Sequence, residues 1–509
     1  MSGSKVPLIK ILASREFAED SRFKYAKAQG EKWRREFRVK LPKLKYEKVL
    51  GHGGFGMVQL WSIRDEKGHP TSQQVALKFP IRELTPNRII EAQNETRYIG
   101  SIFHGLEHTI QLVEVEQKTV KSHKDKLTNN PNVDSPILVM EALGVNLFQL
   151  ITWVNESRLW YEQNVNKKKS VTEEVYNRHK LGYIPNRVLW LMFSCLLKGV
   201  VGMAYPPHDS NFYAPMNNNH LKNPTKEVIP PRGADNKIPE PSTLIHFDLD
   251  PQNVLVGDLD GDEHSKIPKL KIGDFGLMLR WGEGWSNRAK LQRIGRGKRY
   301  WLAPEQIDTN MVTDPKYHIG WELNVWAIGV IMFNLMTLQH PESRRGWETQ
   351  RRFVRLPGRE LIINTYGWWL LPPATNHALA GYDVRLRQLI CRCMAHETYD
   401  RPSLSEIWEA IDAGLAYSSE REMENPQWVS DHTVGGPSYD PMKQPPLDTH
   451  ELTAKFFQDY FADPPPKPDP YEGKWSDNTE SFYDVEENLL GYNDPTDWDE
   501  GEFDYCIIL

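Results

Sequence analysis

His246-Phe247-Asp248-Leu249-Asp250-Pro251-Gln252-Asn253 is followed about twenty residues later by Gly273-Asp274-Phe275-Gly276, and then by Ala303-Pro304-Glu305. Any one of these carboxylates, taken alone, is more often a surface or capping residue; the information lies in the ordered set. Far upstream, Gly51-His52-Gly53-Gly54-Phe55-Gly56-Met57-Val58 fits the pattern G-x-G-x-x-G-x-V without a mismatch. A glycine pattern by itself often marks only a turn. Here the flanks Tyr46-Glu47-Lys48-Val49-Leu50 and Met57-Val58-Gln59-Leu60-Trp61 both read as short strands. That favours a hairpin over the helix-opening dinucleotide motif. In such a hairpin the missing side chains let backbone N–H groups approach phosphates.

Between these segments lie Val75-Ala76-Leu77-Lys78 and Ile137-Leu138-Val139-Met140-Glu141-Ala142-Leu143-Gly144. In this order the set resembles the eukaryotic protein kinases, over roughly residues 45 to 415. The resemblance implies an α+β, bilobal kinase fold with a β-rich N-lobe, a mainly helical C-lobe and disordered extensions. It also implies ATP and Mg²⁺. Asp248 would orient the substrate hydroxyl and accept its proton, Asn253 and Asp274 would hold Mg²⁺, and Lys78 would meet the α- and β-phosphates. Gly51, Gly53, Gly56, Val58, Ala76 and Leu255 would surround the nucleotide. Met140 would be the gatekeeper, and the backbones of Glu141 and Leu143 would meet the adenine edge. Lys78 needs a carboxylate partner, for which Glu91 and Glu95 compete. Tyr98, Ile99 and Ile102 fall at +3, +4 and +7 from Glu95, on one helical face, so Glu95 is the expected partner.

Several positions depart from the family pattern. Phe247 and Asp250 stand where Arg and Lys are usual, Gly297-Lys298 replaces Gly-Thr, and Asn324 replaces an Asp that holds the catalytic-loop backbone. An amide keeps the acceptor but loses the charge, so a looser loop is expected. Lys298 is expected to reach the site and pair with Asp250, restoring the missing cation. Between Asp274 and Glu305 there is no Thr and Ser286 is the only Ser, so the segment is expected to order without phosphorylation. Arg401 is the expected partner of Glu305.

Composition agrees with an intracellular protein. The chain has 509 residues, net charge −6 and four cysteines in no disulfide or metal spacing. Its pI of about 6.3 gives no reason to expect a nucleic-acid partner. No signal peptide is read at the start, and the apolar run Val325 to Met336 is too short to span a bilayer. The domain reading is 1–44 a basic N-terminal extension, in which Trp33 and Phe37 one turn apart allow docking on the N-lobe but a solvated helix is the default, 45–144 the N-lobe, and 145–417 the C-lobe. Within the last, about 206–241 forms an exposed insertion rich in Pro, Asn and Lys. Residues 418–509 read as an acidic, Pro-rich, disordered tail. Asp258 to Glu263 resembles the start of an EF-hand but lacks the twelfth-position Glu, which leaves a turn between strands.

The expected activity is transfer of the γ-phosphoryl group of ATP to a protein Ser or Thr hydroxyl. The alternative is a pseudokinase or scaffold that binds nucleotide and partners; the retained Lys78, Asp248, Asn253 and Asp274 favour the enzyme. The Gly-rich loop and the Ala-Pro-Glu anchor argue against a small-molecule kinase. Arg280, Arg288, Lys290, Arg293, Arg296, Lys298 and Arg299 crowd the segment before Glu305, which points to acidic protein substrates. The final Cys506-Ile507-Ile508-Leu509 fits C-a-a-X, with Leu indicating geranylgeranylation. The acidic residues upstream oppose anionic lipid, so the expected location is cytoplasmic or nucleocytoplasmic with at most a weak peripheral membrane pool.

Overall fold

Strand-forming residues on both sides of the glycine hairpin build a four-stranded antiparallel sheet: β1 (Leu44–His52), β2 (Gly56–Arg64), β3 (Pro70–Pro80) and β4 (Leu138–Glu141), in that order. The register sets Val58 opposite Lys78 and Ala76 opposite Met140, which brings the cleft-facing positions of three strands level with one another. The computed structural model describes residues 21–52, 56–80, 93–115, 137–165, 180–208, 218–260, 263–339, 348–356, 359–372, 379, 381–424 and 449–462. Gly53, Glu91 and Cys506 therefore lie outside the described residues.

The N-terminal helix α1 (Ser21–Lys40) is not a solvated extension. Phe37 is fully buried, edge-on to Trp61 at 5.8 Å and to Phe79 at 5.4 Å. Trp33 Nε1 donates to Pro80 O at 3.0 Å, and Gln59 Nε2 donates to Gly30 O at 3.0 Å. The boundary expected at residue 44 is thus corrected: α1 closes the core of the small lobe. Its Trp33-Phe37 pair, one turn apart, outweighs its surface charge because two aromatic rings bury far more apolar area than a solvated lysine could offset.

The large lobe is organised by two apolar helices, α3 (Asn186–Ala204) and α5 (Trp321–Thr337), with α2 (Leu147–Val165) beside them. By length and apolarity α3 could cross a membrane, but 83% of that window is buried inside the protein, which makes it a core helix. Short antiparallel pairs, β5 (Leu244–Ile245) with β8 (Leu279–Arg280) and β6 (Val254–Val256) with β7 (Leu270–Ile272), carry the segments that hold Asp248 and Asp274 on this lobe. The expected turn at Asp258 to Glu263 lies in the connection between β6 and β7. Helix α4 (Asn287–Ile294) follows, capped by Ser286 Oγ, which accepts from Ala289 N at 3.3 Å. A further hairpin, β9 (Gln350–Leu356) with β10 (Arg359–Thr365), and helices α6 (Val384–Cys393) and α7 (Leu404–Glu424) complete the lobe.

Two other expectations need correction. The insertion is only partly exposed: residues 231–237 are, but 218–227 are clipped to the small lobe. Asn218 exchanges both amide bonds with the Glu114 backbone at 2.8 and 2.9 Å, and Thr225 N donates to Gly105 O at 2.7 Å. The tail is not uniformly disordered either. Helix α7 continues through Glu424, and α8 (His450–Phe457) docks on the large lobe with the turn Gln458–Ala462. Phe456 and Tyr460 are fully buried, Leu181 N donates to Asp459 Oδ2 at 2.8 Å, and Tyr460 OH donates to Ser157 Oγ at 2.9 Å. Phe456 and Tyr460 are therefore core, with Phe457 and Phe461 packed against them half-buried.

Candidate active site

The two lobes meet in a cleft. Its walls are apolar: Leu50, Val58 and Ala76 above, Met140 and Leu143 at the back, Leu255 below. The strand register explains the upper wall, since alternate residues of β2 and β3 face the same side. Glu141 also lines the cleft, but its carboxylate is committed, accepting from Gln111 N and from Lys271 Nζ, both at 2.8 Å. Any contact Glu141 makes with a ligand therefore falls to its backbone.

The inner end of the cleft is polar. Lys78 Nζ donates to Glu95 Oε1 at 2.9 Å, to Glu95 Oε2 at 3.0 Å and to Asp274 Oδ1 at 2.9 Å. Glu95 is only 4% exposed, and the helical turn Tyr98–Ile102 packs its apolar side into the core below it. Burial works against the charged lysine, but Asp274 and Glu95 together raise its pKa. Asp274 is held below the usual carboxylate range because Lys78 more than offsets its burial. Its backbone sits at φ +57°, a left-handed conformation that aspartate tolerates better than most residues.

Opposite, Asn253 Nδ2 donates to Asp248 O at 2.6 Å and to Asp248 Oδ2 at 3.0 Å. Burial lifts Asp248 to about 7; Lys298 opposes that rise, while Asp250 and Asp274 add to it. Lys298 Nζ bonds Asp250 Oδ2, lies 3.1 Å from Gln252 Oε1, and is 3.7 Å from Asp248 Oδ2. The cation thus stands beside the carboxylate it was expected to reach. Burial would lower Lys298, but Asp248 and Asp250 raise it. Asp250 also accepts from Gln252 N at 2.7 Å, capping the turn Pro251–Asn253.

The backbone around Asp248 is fixed from three sides. His246 is completely buried and held near 4 by that burial, so the ring is neutral. Its Nε2 pairs with Gly273 O at 3.0 Å and its Nδ1 accepts from Asp248 N at 3.3 Å, an arrangement that places the proton on Nε2. Asn324 Oδ1 accepts from His246 N at 3.0 Å while its Nδ2 donates to Leu244 O at 2.9 Å. The looser loop expected from Asn324 is therefore corrected: the amide makes a second bond that a carboxylate cannot donate. Phe247 takes φ +67°, and Gly297 takes φ +102°. A Cβ at 297 would lie 2.1 Å from Phe247 O, so only glycine lets the segment carrying Lys298 pass this close.

That segment is anchored by side chains at both of its ends. Gln306 Nε2 donates to Ile294 O and to Arg296 O, each at 2.9 Å. Arg401 forms a bidentate pair with Glu305 at 2.6 and 2.7 Å, both side chains fully buried. The strained Phe247 backbone and the roles of Gln252 and Ile110 as lining residues escaped the sequence reading. No pattern marks Gln252 except its place beside Asn253, and Ile110 looks like any buried residue.

Comparison with known proteins matches the protein kinase domain to residues 241–410. The chain is 27% identical to the probable serine/threonine-protein kinase nek3 of Dictyostelium discoideum, over 33% of this chain and 12% of that protein. It is 29% identical to the myoblast growth factor receptor egl-15 of Caenorhabditis elegans, over 39% and 16%. It is 27% identical to the serine/threonine-protein kinase A-Raf of Mus musculus, over 33% and 24%. The chain thus spans less than a quarter of the length of each of these relatives. The matched region runs from the strand before Asp248 to the helix after Arg401, and the sheet, the Lys78–Glu95 pair and the cleft supply the other lobe around it. The similarity to the protein kinase domain thus covers the large-lobe side of the cleft, residues 241–410, with Asp248, Asn253 and Asp274 inside it.

Proposed function

We propose that this protein transfers the γ-phosphoryl group of ATP to Ser or Thr hydroxyls of protein substrates. The observation that carries this reading is the convergence of Lys78, Glu95 and Asp274 at one end of the cleft, with Asp248, Asn253 and Lys298 beside them. The apolar slot suits a purine, and the polar end offers the charge that phosphoryl transfer requires. Lys78 binds the α- and β-phosphates, with Glu95 fixing the ammonium. Asp248 orients the acceptor hydroxyl and takes its proton as the bond to phosphorus forms. Asn253 holds Asp248 in place, and Lys298 faces the charge that gathers on the transferred group. Asn253 and Asp274 are an oxygen donor set suited to Mg²⁺, which when bound neutralises phosphate charge.

One observation favours a second reading, a nucleotide-binding scaffold. Asp250 brings a negative charge into the catalytic loop and takes up the Lys298 cation. The test is transfer of label from γ-labelled ATP, with MgCl₂, to a mixed Ser, Thr and Tyr peptide library. The wild-type chain should label Ser and Thr peptides. Asp248→Asn should lower turnover by at least about 10²-fold, the range general-base removal produces, and Lys78→Met should abolish it. A MgATP-dependent thermal shift without transfer would establish the scaffold instead.

A further inference from the structure

Behind the cleft, four stretches of chain meet in a buried polar core that the phosphoryl-transfer machinery does not use. Glu107 and His108 come from the loop before β4, Cys195 from α3, Glu227 from the insertion and His264 from the connection between β6 and β7. All five are at most 5% exposed, and His108 is fully buried. His108 Nδ1 pairs with Glu227 Oε2 at 2.8 Å, and His108 N donates to Glu227 Oε1 at 2.7 Å. The other face of that imidazole, Nε2, lies 3.2 Å from His264 Nε2. Cys195 Sγ lies 3.9 Å from His264 Nδ1. One donor atom each from His108, Cys195 and His264 falls within 4.8 Å of the other two. Glu107 lies within the same reach of His108 with Glu227, and of His264 with Asp260.

We propose that His108, Cys195 and His264 bind a structural Zn²⁺ ion through three protein ligands. Thiolate and imidazole together select zinc over the hard cations that suit the Asn253–Asp274 site. Zinc–nitrogen bonds of about 2.0–2.1 Å at tetrahedral angles put two ligand nitrogens about 3.3 Å apart, close to the His108–His264 separation. Glu227 occupies the outer position that zinc-binding histidines usually give to a carboxylate, fixing the tautomer so that Nε2 offers its lone pair inward. The chain is shaped to admit that carboxylate. A Cβ on Gly202 would lie 3.1 Å from Glu227 Cγ and 2.8 Å from Leu106 Cδ1, so glycine at this position of α3 lets the insertion close over the histidine.

The competing arrangement is a metal-free chain of hydrogen bonds from Cys195 through His264 and His108 to Glu227. Its thiol link, at 3.9 Å, is long even for sulfur, and a single bridging proton must serve two facing ring nitrogens. A cation would instead take one lone pair from each of the three side chains, whose donor atoms lie within 4.8 Å of one another. Its consequence would be mechanical. Ile110 N donates to Ile272 O and Ile272 N to His108 O, each at 2.9 Å, and Asp274 lies two residues beyond Ile272. The ion would clamp the loop that follows Glu95, the helix α3 and the strand leading to Asp274 into one unit. The proposal does not rest on phosphoryl transfer: a scaffold would keep the same clamp.

The test uses the full chain, purified without chelators and assayed for metal. About one zinc per chain is expected. The chelated chain is then titrated with Co²⁺ alone. A thiolate-to-cobalt absorption band together with tetrahedral cobalt bands, both displaced by Zn²⁺, is the expected result. Cys195→Ser should remove the thiolate band, Cys506→Ser should keep it, and Glu227→Gln should weaken the metal by about 10–100-fold. A folded wild-type chain that purifies without zinc and shows no thiolate–cobalt band would overturn the proposal, as would loss of the band in Cys506→Ser. Because the wild-type spectrum decides the matter, failure of any one variant to fold leaves the test intact.

Discussion

Lys298 and Asp250 hold opposite charges at two positions where kinases of the Ser/Thr type carry a lysine and a threonine, and here the lysine comes from the second position. It sits 3.7 Å from Asp248 and contacts Asp250. If that cation serves the transferred phosphate, Lys298→Thr should lower kcat on the order of 10²-fold, as loss of one positioned stabiliser does. Adding Asp250→Lys should recover part of the loss. Independent, additive effects in this double-mutant cycle would refute the exchange. The pH profile gives a separate check. Burial lifts Asp248 to about 7, so the acid limb of kcat/KM should have its midpoint near that pH, with activity rising as the carboxylate forms. Lys298 opposes the lift, so Lys298→Thr should move the limb to higher pH, whereas Asp250→Asn should move it lower. The sign for stability runs the other way. An unfolded aspartate loses its proton near 3.9, so between about pH 4 and 7 the folded state alone keeps it, and stability from this group falls as pH rises through that window. A limb unmoved by either substitution would show that another group titrates.

Helix α1 makes the clearest case at the level of the element. Phe37 is buried between Trp61 and Phe79, and Trp33 reaches Pro80, two residues beyond Lys78. Phe37→Ala should cost about 3–5 kcal/mol in urea unfolding of the small lobe, the usual range for an emptied aromatic site, and should weaken MgATP binding through β3. A cost below about 1 kcal/mol would mean that α1 rests on the sheet without contributing to it. Trp33 and Phe37 one turn apart allowed this docking in the sequence, but the basic residues dominate the composition and made a solvated helix the default expectation. Glu95 was legible, since Tyr98, Ile99 and Ile102 mark the buried face of its helix. The Lys298–Asp250 pair was legible as well, because charge at two unusual positions needs mutual compensation. The insertion was not. Its Pro, Asn and Lys content says nothing about reciprocal amide bonds such as Asn218 with Glu114, which exist only once the small lobe is folded. Nor does composition distinguish Phe456 and Tyr460, core residues of α8 and the turn after it, from the acidic sequence around them.

For the whole molecule, the charge distribution bears on substrate choice. The net charge is −6, yet the segment before Glu305 has Glu283 as its one carboxylate against seven basic residues. Lys298 is engaged with Asp250, and Arg293 lies 4.9 Å from the Trp285 ring centre and bonds Ala289 O. Arg280, Arg288 and Arg299 are exposed, with Lys290 and Arg296 half-buried beside them. We propose that this face attracts acidic peptides, and that the chain's own Thr496-Asp497-Trp498-Asp499-Glu500 competes for it. The truncation that tests this must follow Ala462, because α8 and the turn after it are part of the fold. Removing 463–509 should raise kcat/KM for acidic peptides several-fold at about 0.01 M salt, where charges act over about 30 Å. The gain should vanish near 1 M, where that reach is about 3 Å. Substituting Arg288 and Arg299 by Gln should reduce the preference for acidic over neutral peptides, while leaving turnover on neutral ones within about twofold, since neither side chain lies among the groups around Asp248. A chain that prefers basic peptides at both salt concentrations would sink the electrostatic argument, and a truncation without effect on acidic peptides at low salt would remove the tail from it.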